Sequence, residues 1–316
     1  MKAAREKLLA RAGLYATVRQ FFQQRDVLEV CTPVLSQAAG PDPAIEPLLT
    51  RYTGPAYPSG LELYLQTSPE FAMKRLLAMG SGPIYQIAQV FRDGEYGPRH
   101  NPEFILLEWY RPGFDHHALM EEVADLMAVC LDSNIGMEKI TYVELFQREF
   151  GLNPLEVDIG ELADAAASRG IHAEGLDCRD QWLDLLMSMV IEPAMSGEGL
   201  TFVYDYPASQ ASLARLNADD ARVASRFELY YQGVELANGF HELTDAAEQR
   251  KRFEEENRQR LRQGQQQLPL DENFLAALEK GLPDCAGVAL GLDRLLMLQQ
   301  REATLDGTLV FSLKNA

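Results

Sequence analysis

The sequence is poor in cysteine, poor in basic residues and free of long apolar runs. Its four cysteines, Cys31, Cys130, Cys178 and Cys285, lie far apart with no C-x-x-C pair. They read as buried thiols of a reducing compartment, not as a disulfide framework. The five histidines include no H-E-x-x-H and no Cys/His cluster, which excludes zinc sites of the usual spacing. G-x-x-x-x-G-K-[ST] and G-x-S-x-G are both missing, so any nucleotide chemistry uses another kind of site. No run of about 18 apolar residues is available to span a membrane. The start, Met1–Gly13, carries Lys2, Arg5, Glu6, Lys7 and Arg11 instead of an apolar signal, and predicts a cytoplasmic protein. Lys and Arg number 29 against 47 Asp and Glu, a formal charge of −18. That balance opposes chain-wide binding to nucleic acid or anionic lipid, so neither tRNA nor a membrane is expected as a partner.

What is present is globular. Apolar residues make up 47% and charged residues 24% of 316, enough for a core and too apolar for disorder. Leu8, Leu9, Ala12, Tyr15, Val18, Phe21 and Phe22 recur at helical spacing between Arg5 and Gln24. A short strand over Val27–Val30 follows, and Thr32-Pro33 turns the chain. Residues 38–60, rich in Pro and Gly, predict a long loop. Leu61–Gln66 alternates as a strand, and Ser68-Pro69 predicts an N-cap with proline opening a helix that runs to Met79 and stops at Gly80. Ile84–Phe91 and Phe104–Arg111 read as strands around a charged loop, Arg92–Asn101. Helical spacing returns at His116–Leu131 and Tyr142–Phe150, and residues 160–199 predict inserted helices. Strands are expected at Thr201–Tyr206 and Phe227–Phe240. Asp245 with Glu248 predicts a capping box on a helix to Arg262, ended by Gly264. A strand over Gly287–Gly291 and a helix over Leu292–Gln299 close the pattern. Strands far apart in sequence, with helices grouped between them, predict an α+β fold with a mostly antiparallel sheet.

Three places carry groups suited to chemistry. On the strand Phe104–Tyr110, period-two alternation puts Phe104, Leu106, Glu108 and Tyr110 on one side. That face reads either as a ligand floor or as a half-buried strand with one polar outlier. Phe227–Ala237 reads as a hairpin about Gln232-Gly233, which sets Tyr230 opposite Glu235 and Glu228 opposite Ala237. Glu228 and Glu235 then lie diagonally on one face, roughly 7–8 Å apart at the backbone. They could share Mg²⁺, which takes carboxylates together with substrate phosphates, or form a solvated acidic face. Continued alternation leaves Glu242 on the wrong face unless the strand bends, and Gly239 is the expected place. Arg92 opens the charged loop, and Arg294 sits one turn after Gly291. Guanidinium groups take phosphate bidentately and glycine lets a ligand approach, though an arginine taken singly is more often a surface ion-pair partner. Glu70 alone fits a first-turn helix acid.

Together these segments resemble a known family. The helix–strand–Pro33 unit, FRDGEYGPRHNPEFILLEWY from Phe91 to Tyr110 and GVALGLDRLLML from Gly287 to Leu298 are similar to the three motifs of class II aminoacyl-tRNA synthetases. TSPE at Thr67–Glu70 and ELANGFHELTD at Glu235–Asp245 narrow the resemblance to the lysyl branch. The chain enters the catalytic domain almost at once, without the anticodon-reading OB-fold of a lysyl-tRNA synthetase. PASQASL at Pro207–Leu213 and GVALG at Gly287–Gly291 resemble the free-standing paralogues of that branch, and Ala289 stands where lysyl synthetases typically have glycine.

The resemblance implies one catalytic domain over 1–316, with a helical insertion at about 160–199. It implies that ATP activates (R)-β-lysine as an acyl-adenylate, which is then passed to a lysine side chain of elongation factor P. By the same resemblance, Arg92 meets the α-phosphate, Arg294 the phosphate tail, and Glu228 and Glu235 hold Mg²⁺. Phe104 stacks on adenine near Asn101, while Asp93, Gly94, Glu235, Leu236 and Gly291 complete the ATP site. Ser68, Pro69, Glu70, Glu108, Tyr110, Asn238, Phe240, Glu242 and Ala289 hold the dicationic amino acid, whose amines need carboxylates once desolvated. One departure stands out: the family's Arg-Asn-Glu is here Arg92-Asp93-Gly94-Glu95. Either Glu95 or a backbone carbonyl takes over the adenine amino group, or adenine binding is weaker. The rival readings are a truncated lysyl-tRNA synthetase acting on tRNA and a non-catalytic synthetase-like binder. The motif 1 helix, residues 5–24, implies a homodimer. Light scattering on the eluted peak is expected to give twice 35.4 kDa, and a mass of one chain contradicts the dimer.

Overall fold

The computed structural model describes residues 2–133 and 135–316. As expected, α and β elements mix, and mostly antiparallel strands are flanked by helices. The chain divides into two compact units, one of Met1–Phe114, Val129–Leu131 and Thr244–Ala316, the other of Asp115–Ala128 and Asp132–Leu243.

In the first unit, strands Leu28–Glu29, Ile84–Phe91, Glu103–Pro112 and Cys285–Gly291 lie side by side in that order. The first pair is parallel and the others antiparallel. The helix Lys2–Gln23 buries only its second half: Val18, Phe21 and Phe22 are inside, while Leu8 and Leu9 are more than half exposed. Phe22 anchors it, stacked on Tyr85 at 4.4 Å and edge-on to Trp109 at 5.4 Å. The helix Glu70–Ala78 starts one residue later than predicted, with Pro69 as its cap. Proline has no N–H or side-chain acceptor, and the Ser68 hydroxyl instead accepts the Glu70 N–H at 3.0 Å. Residues 38–60 are not wholly irregular: Leu49–Tyr52 pairs antiparallel with Leu61–Leu65. The surrounding proline and glycine mask that short, exposed strand in the sequence. Two cysteine expectations also need correction. Cys130 and Cys285 are buried, but Cys31 and Cys178 are exposed, the latter capping the helix Arg179–Leu186.

In the second unit the order is Met137–Thr141, Leu200–Pro207, Val223–Tyr231, Val234–His241, again with only the first pair parallel. The expected inserted helices are Ile159–Ser168 and Arg179–Leu186, the second continuing through a π turn, Met187–Ile191, into Glu192–Ala194. Pro193 cannot donate back into the preceding turn, and the wide turn lies immediately before it. Capping boxes at Thr141/Glu144 and Asp158/Glu161 fix two helix starts. Tyr142, Phe146, Leu162, Leu183, Leu186 and Ile191 form the core between these helices and their sheet. In the first unit, Asp245 caps Ala246–Arg262 by accepting from Ala247 and Glu248, but the reciprocal half of the predicted box is replaced. The Glu248 carboxylate turns to Arg252 at 3.1 Å.

The hairpin turns where predicted, with φ of +53° at Gln232 and +69° at Gly233, the sign a two-residue primed turn requires. Tyr230 faces Glu235 as expected. Glu228, however, faces Asn238, and Ala237 faces Leu229, because a bulge falls between Glu235 and Ala237. Leu236 is the surplus residue, and it reverses the phase of everything after it. Asn238 and Phe240 therefore share the face of Glu235, and Glu242, bridged to Ala214, continues the same alternation. The phase change expected at Gly239 occurs three residues earlier. Phe22→Ala removes a fully buried ring and is expected to cost about 3–5 kcal/mol in urea unfolding, with the m-value kept.

Candidate active site

The strand Glu103–Pro112 is buried on both sides from Leu106 to Tyr110, so its central residues are not half-solvated. Phe104 and Leu106 pack with Ala88, Val90 and Ala289, and Ala289 stands opposite Glu108. Glu108 is 2% exposed. Ser68 Oγ donates to its Oε2 at 2.7 Å and the Tyr110 hydroxyl to its Oε1 at 2.8 Å. Nearby, the buried Lys74 ammonium lies 2.6 Å from Glu70 Oε1. Burial first, and then the charge of Glu70, push the Glu108 carboxyl up to about 7, against Ser68, Tyr110 and Lys74. The structure thus brings Ser68, Glu70, Glu108, Tyr110 and Ala289 together, with Pro69 next to Ser68 in the chain, and a cation placed beside Glu108 would favour its ionised form. Lys74 was missed, although its i,i+4 spacing from Glu70 is a readable signal.

At the other end of this strand, the loop after Ile84–Phe91 carries both arginines' contacts. Arg92 lies over the Phe104 ring at 5.1 Å, donates to Thr67 O and to Glu95 Oε1 at 3.4 Å, and remains partly exposed. Glu95 is thereby paired with the arginine. Asp93 Oδ1 accepts the Gly94 N–H at 2.8 Å, and Gly94 adopts φ +77°, which suits glycine and leaves open space where a Cβ would stand. Asn101 donates to Glu103 O at 2.6 Å and accepts from Leu313 N at 3.3 Å, bracing the strand entry. Arg294 Nη2 lies 2.7 Å from His100 Nε2, and its Nε donates to Arg99 O. Burial lowers the His100 pKa, and Arg294 and Arg92 both add to the effect, so the two guanidiniums bear on one loop. Gly291 has an ordinary φ of −74°, and a Cβ there would meet only the Arg294 side chain at 3.8 Å. Its backbone does not require glycine. Asp293 also escaped notice. It is buried, pairs with Arg11 at 2.6 Å and accepts the Ile105 N–H at 2.8 Å, tying the Arg294 helix to strand and N-terminal helix.

The second unit holds the other acids. Glu228 accepts from Arg226 at 2.5 Å, from Tyr206 at 2.6 Å and from Tyr230 at 2.5 Å. Burial raises the Tyr206 and Tyr230 hydroxyls well above their usual range, and the Glu228 charge adds to it, so both remain donors. Burial opposes charge on Arg226, but Glu228 and the phenols hold its pKa above the ordinary value. Arg226, which sequence reasoning passed over, also donates to Asn238 Oδ1 and Gln210 O. Glu235 lines the same cavity as Glu228. Leu236 is buried, Phe240 packs on Ala211, Ala214 and Ala224, and Glu242 is 1% exposed with its carbonyl accepting from Arg215. With two phenols on Oε2 and Arg226 on Oε1, Glu228 keeps one lone pair. That and Glu235 suit a hard, oxygen-seeking cation that draws its remaining ligands from phosphate and water.

Residues 1–315 match the family of class II tRNA synthetases (D, K and N), and the chain belongs to that family. It is 50% identical over 311 residues to proteins of Salmonella dublin, Salmonella paratyphi B and Salmonella heidelberg, each named elongation factor P–(R)-β-lysine ligase. Each alignment covers 98% of this chain and 95% of the relative. Among the described residues, no helix is long and apolar enough to cross a membrane. Ser68→Ala removes a donor that favours ionised Glu108, so its midpoint should rise further above about 7. Carbon NMR of labelled glutamate carboxyls reads this, and an unmoved midpoint discounts the bond.

Proposed function

We propose that this chain activates (R)-β-lysine with ATP and transfers it to a lysine side chain of elongation factor P. The observation that carries this reading is the 50% identity, over 98% of the chain, to ligases of that name. In the first step the amino-acid carboxylate attacks the α-phosphorus of ATP, forming the acyl-adenylate and releasing pyrophosphate. In the second, an unprotonated lysine amine attacks the acyl carbon, AMP leaves, and the amine loses a proton as the amide forms.

We assign the chain's groups as follows. Arg92 neutralises charge building at the α-phosphate and Arg294 the phosphate tail. Phe104, whose face already receives Arg92, stacks on adenine, with Asn101, Asp93, Gly94, Leu236 and Gly291 beside the nucleotide. Glu235, with the remaining lone pair of Glu228, holds Mg²⁺, which would offset charge on the phosphates. The ammonium groups of the amino acid go to Glu108, Glu70 and Glu242, and Ser68, Pro69, Tyr110, Asn238, Phe240 and Ala289 shape that pocket. Units one and two act as a single catalytic domain, cytoplasmic and dimeric through Lys2–Gln23, whose exposed Leu8 and Leu9 await a partner surface.

Three measurements test this. Radiolabelled α- or β-lysine, offered with both tRNA and elongation factor P, should appear on the protein; label on tRNA alone overturns the reading. Arg92→Ala should lower amino-acid-dependent ATP–pyrophosphate exchange by about 100-fold or more. The melting temperature should hold, since Arg92 makes only long hydrogen bonds. Finally, a carboxyl raised to about 7 is neutral below that pH and charged above it. The KM for the amino acid should therefore fall as pH rises through about 7, and a flat profile removes Glu108 from the ammonium site.

A further inference from the structure

In the first unit, Lys74 is a buried charge to which the assignment above gives no task. The helix Glu70–Ala78 turns Met73, Lys74 and Leu77 inward. Helical side chains lean toward the N-terminus, so Lys74 reaches back one turn to Glu70. Its side chain is 1% exposed against 17% for Glu70, with Nζ 2.6 Å from Glu70 Oε1. The ammonium also lies 5.9 Å from the centre of the Phe274 ring, which stacks on Phe71 at 4.6 Å. Taking an ammonium out of water is costly even when it is paired, and an apolar side chain would fill the same place without that cost. What the charge contributes is therefore to be found in its neighbours.

Those neighbours are carboxyls. Glu108 has Gln86 and Ala289 opposite it on the adjoining strands, neither of them charged. The groups that act on it most are Glu70, Ser68, Tyr110 and Lys74, and of these only Lys74 is positive. Glu70 raises the Glu108 carboxyl and Lys74 lowers it, so the ion pair offsets on Glu108 the charge that one of its own members imposes. From the helix Ala246–Arg262, Glu256 is a second acid within reach of Glu70. Burial and then Asp42 push it up to about 8, with Glu70 adding to the rise and Arg252 opposing it. Glu70 therefore disfavours charge on two carboxyls, and without a counter-ion it would act on both at full strength.

We propose that Lys74 is a positioning residue for the amino acid: by pairing with Glu70 it cancels the charge facing Glu108, and so allows Glu108 to carry the negative charge that receives the substrate's ammonium. The inference rests on the amino-acid pocket proposed above and adds to it a residue that acts through Glu70.

Lys74→Met keeps the length of the side chain and removes its charge. The Glu108 midpoint, read by carbon NMR of labelled glutamate carboxyls in the ligand-free chain, should then rise by about one pH unit. A rise from about 7 to about 8 takes Glu108 at pH 7 from half ionised to about one tenth, so the KM for the amino acid should increase roughly fivefold. The KM for ATP and kcat should hold, and the difference in amino-acid KM should close above about pH 9, where Glu108 is ionised in both proteins. Glu70→Gln should move the midpoint the other way, down, because it removes the charge that raises it. That sign can be read even if Lys74→Met does not fold. A lower melting temperature in Lys74→Met, with the midpoint and the KM profile unmoved, makes Lys74 a structural ion pair and overturns the inference. An unmoved midpoint in Glu70→Gln overturns it as well. Should the wild type activate neither α- nor β-lysine, the function proposed above fails, while the NMR midpoints still decide the role of Lys74.

Discussion

Keeping a carboxylate inside an apolar body is the constraint around which each unit is built. An unpaired buried charge is costly enough that the group would take a proton or the fold would rearrange. Glu108 and Glu228 meet this differently. Glu108 has two hydroxyl donors and a neighbouring acid, and is left near the midpoint of its titration. Glu228 has a guanidinium and two phenols, a set that holds its position tightly. The first arrangement leaves a carboxyl whose charge is open to its surroundings. The second fixes a wall.

Precision around Arg92 and Arg294 comes from ties that reach far along the chain. Asp293 links the helix that carries Arg294 to the backbone of the Phe104 strand and to Arg11 of the N-terminal helix. The tail adds a second brace: Leu305 N–H reaches Pro98 O, Leu313 N–H reaches Asn101, and Lys314 lies 5.9 Å from the Tyr96 ring centre. The loop bearing Arg92 is thus held from outside by segments about two hundred residues away, which suits a site whose cations must be in place before charge develops.

Much of this was legible because it repeats at a short period. Alternation on Phe104–Tyr110 placed Glu108 beside Tyr110 and Phe104, and Gln232-Gly233 announced its own turn. What escaped was set by pairing between distant segments. The shift at Leu236 depends on which residues of Val223–Tyr231 it meets, and no local pattern marks it. Lys74, Arg226 and Asp293 looked like ordinary helix or strand charges until their ion pairs were known. Leu49–Tyr52 was hidden by surrounding proline and glycine, whose propensities yielded to pairing with Leu61–Leu65.

The bulge at Leu236 has an evolutionary corollary. Because one extra amino acid, and not any particular side chain, turns Asn238, Phe240 and Glu242 toward Glu235, spacing along this segment is itself inherited information. Substitutions can drift across the hairpin while the arrangement persists. A single-codon deletion there would present the opposite set of groups on the face of Glu235, even with every other letter intact.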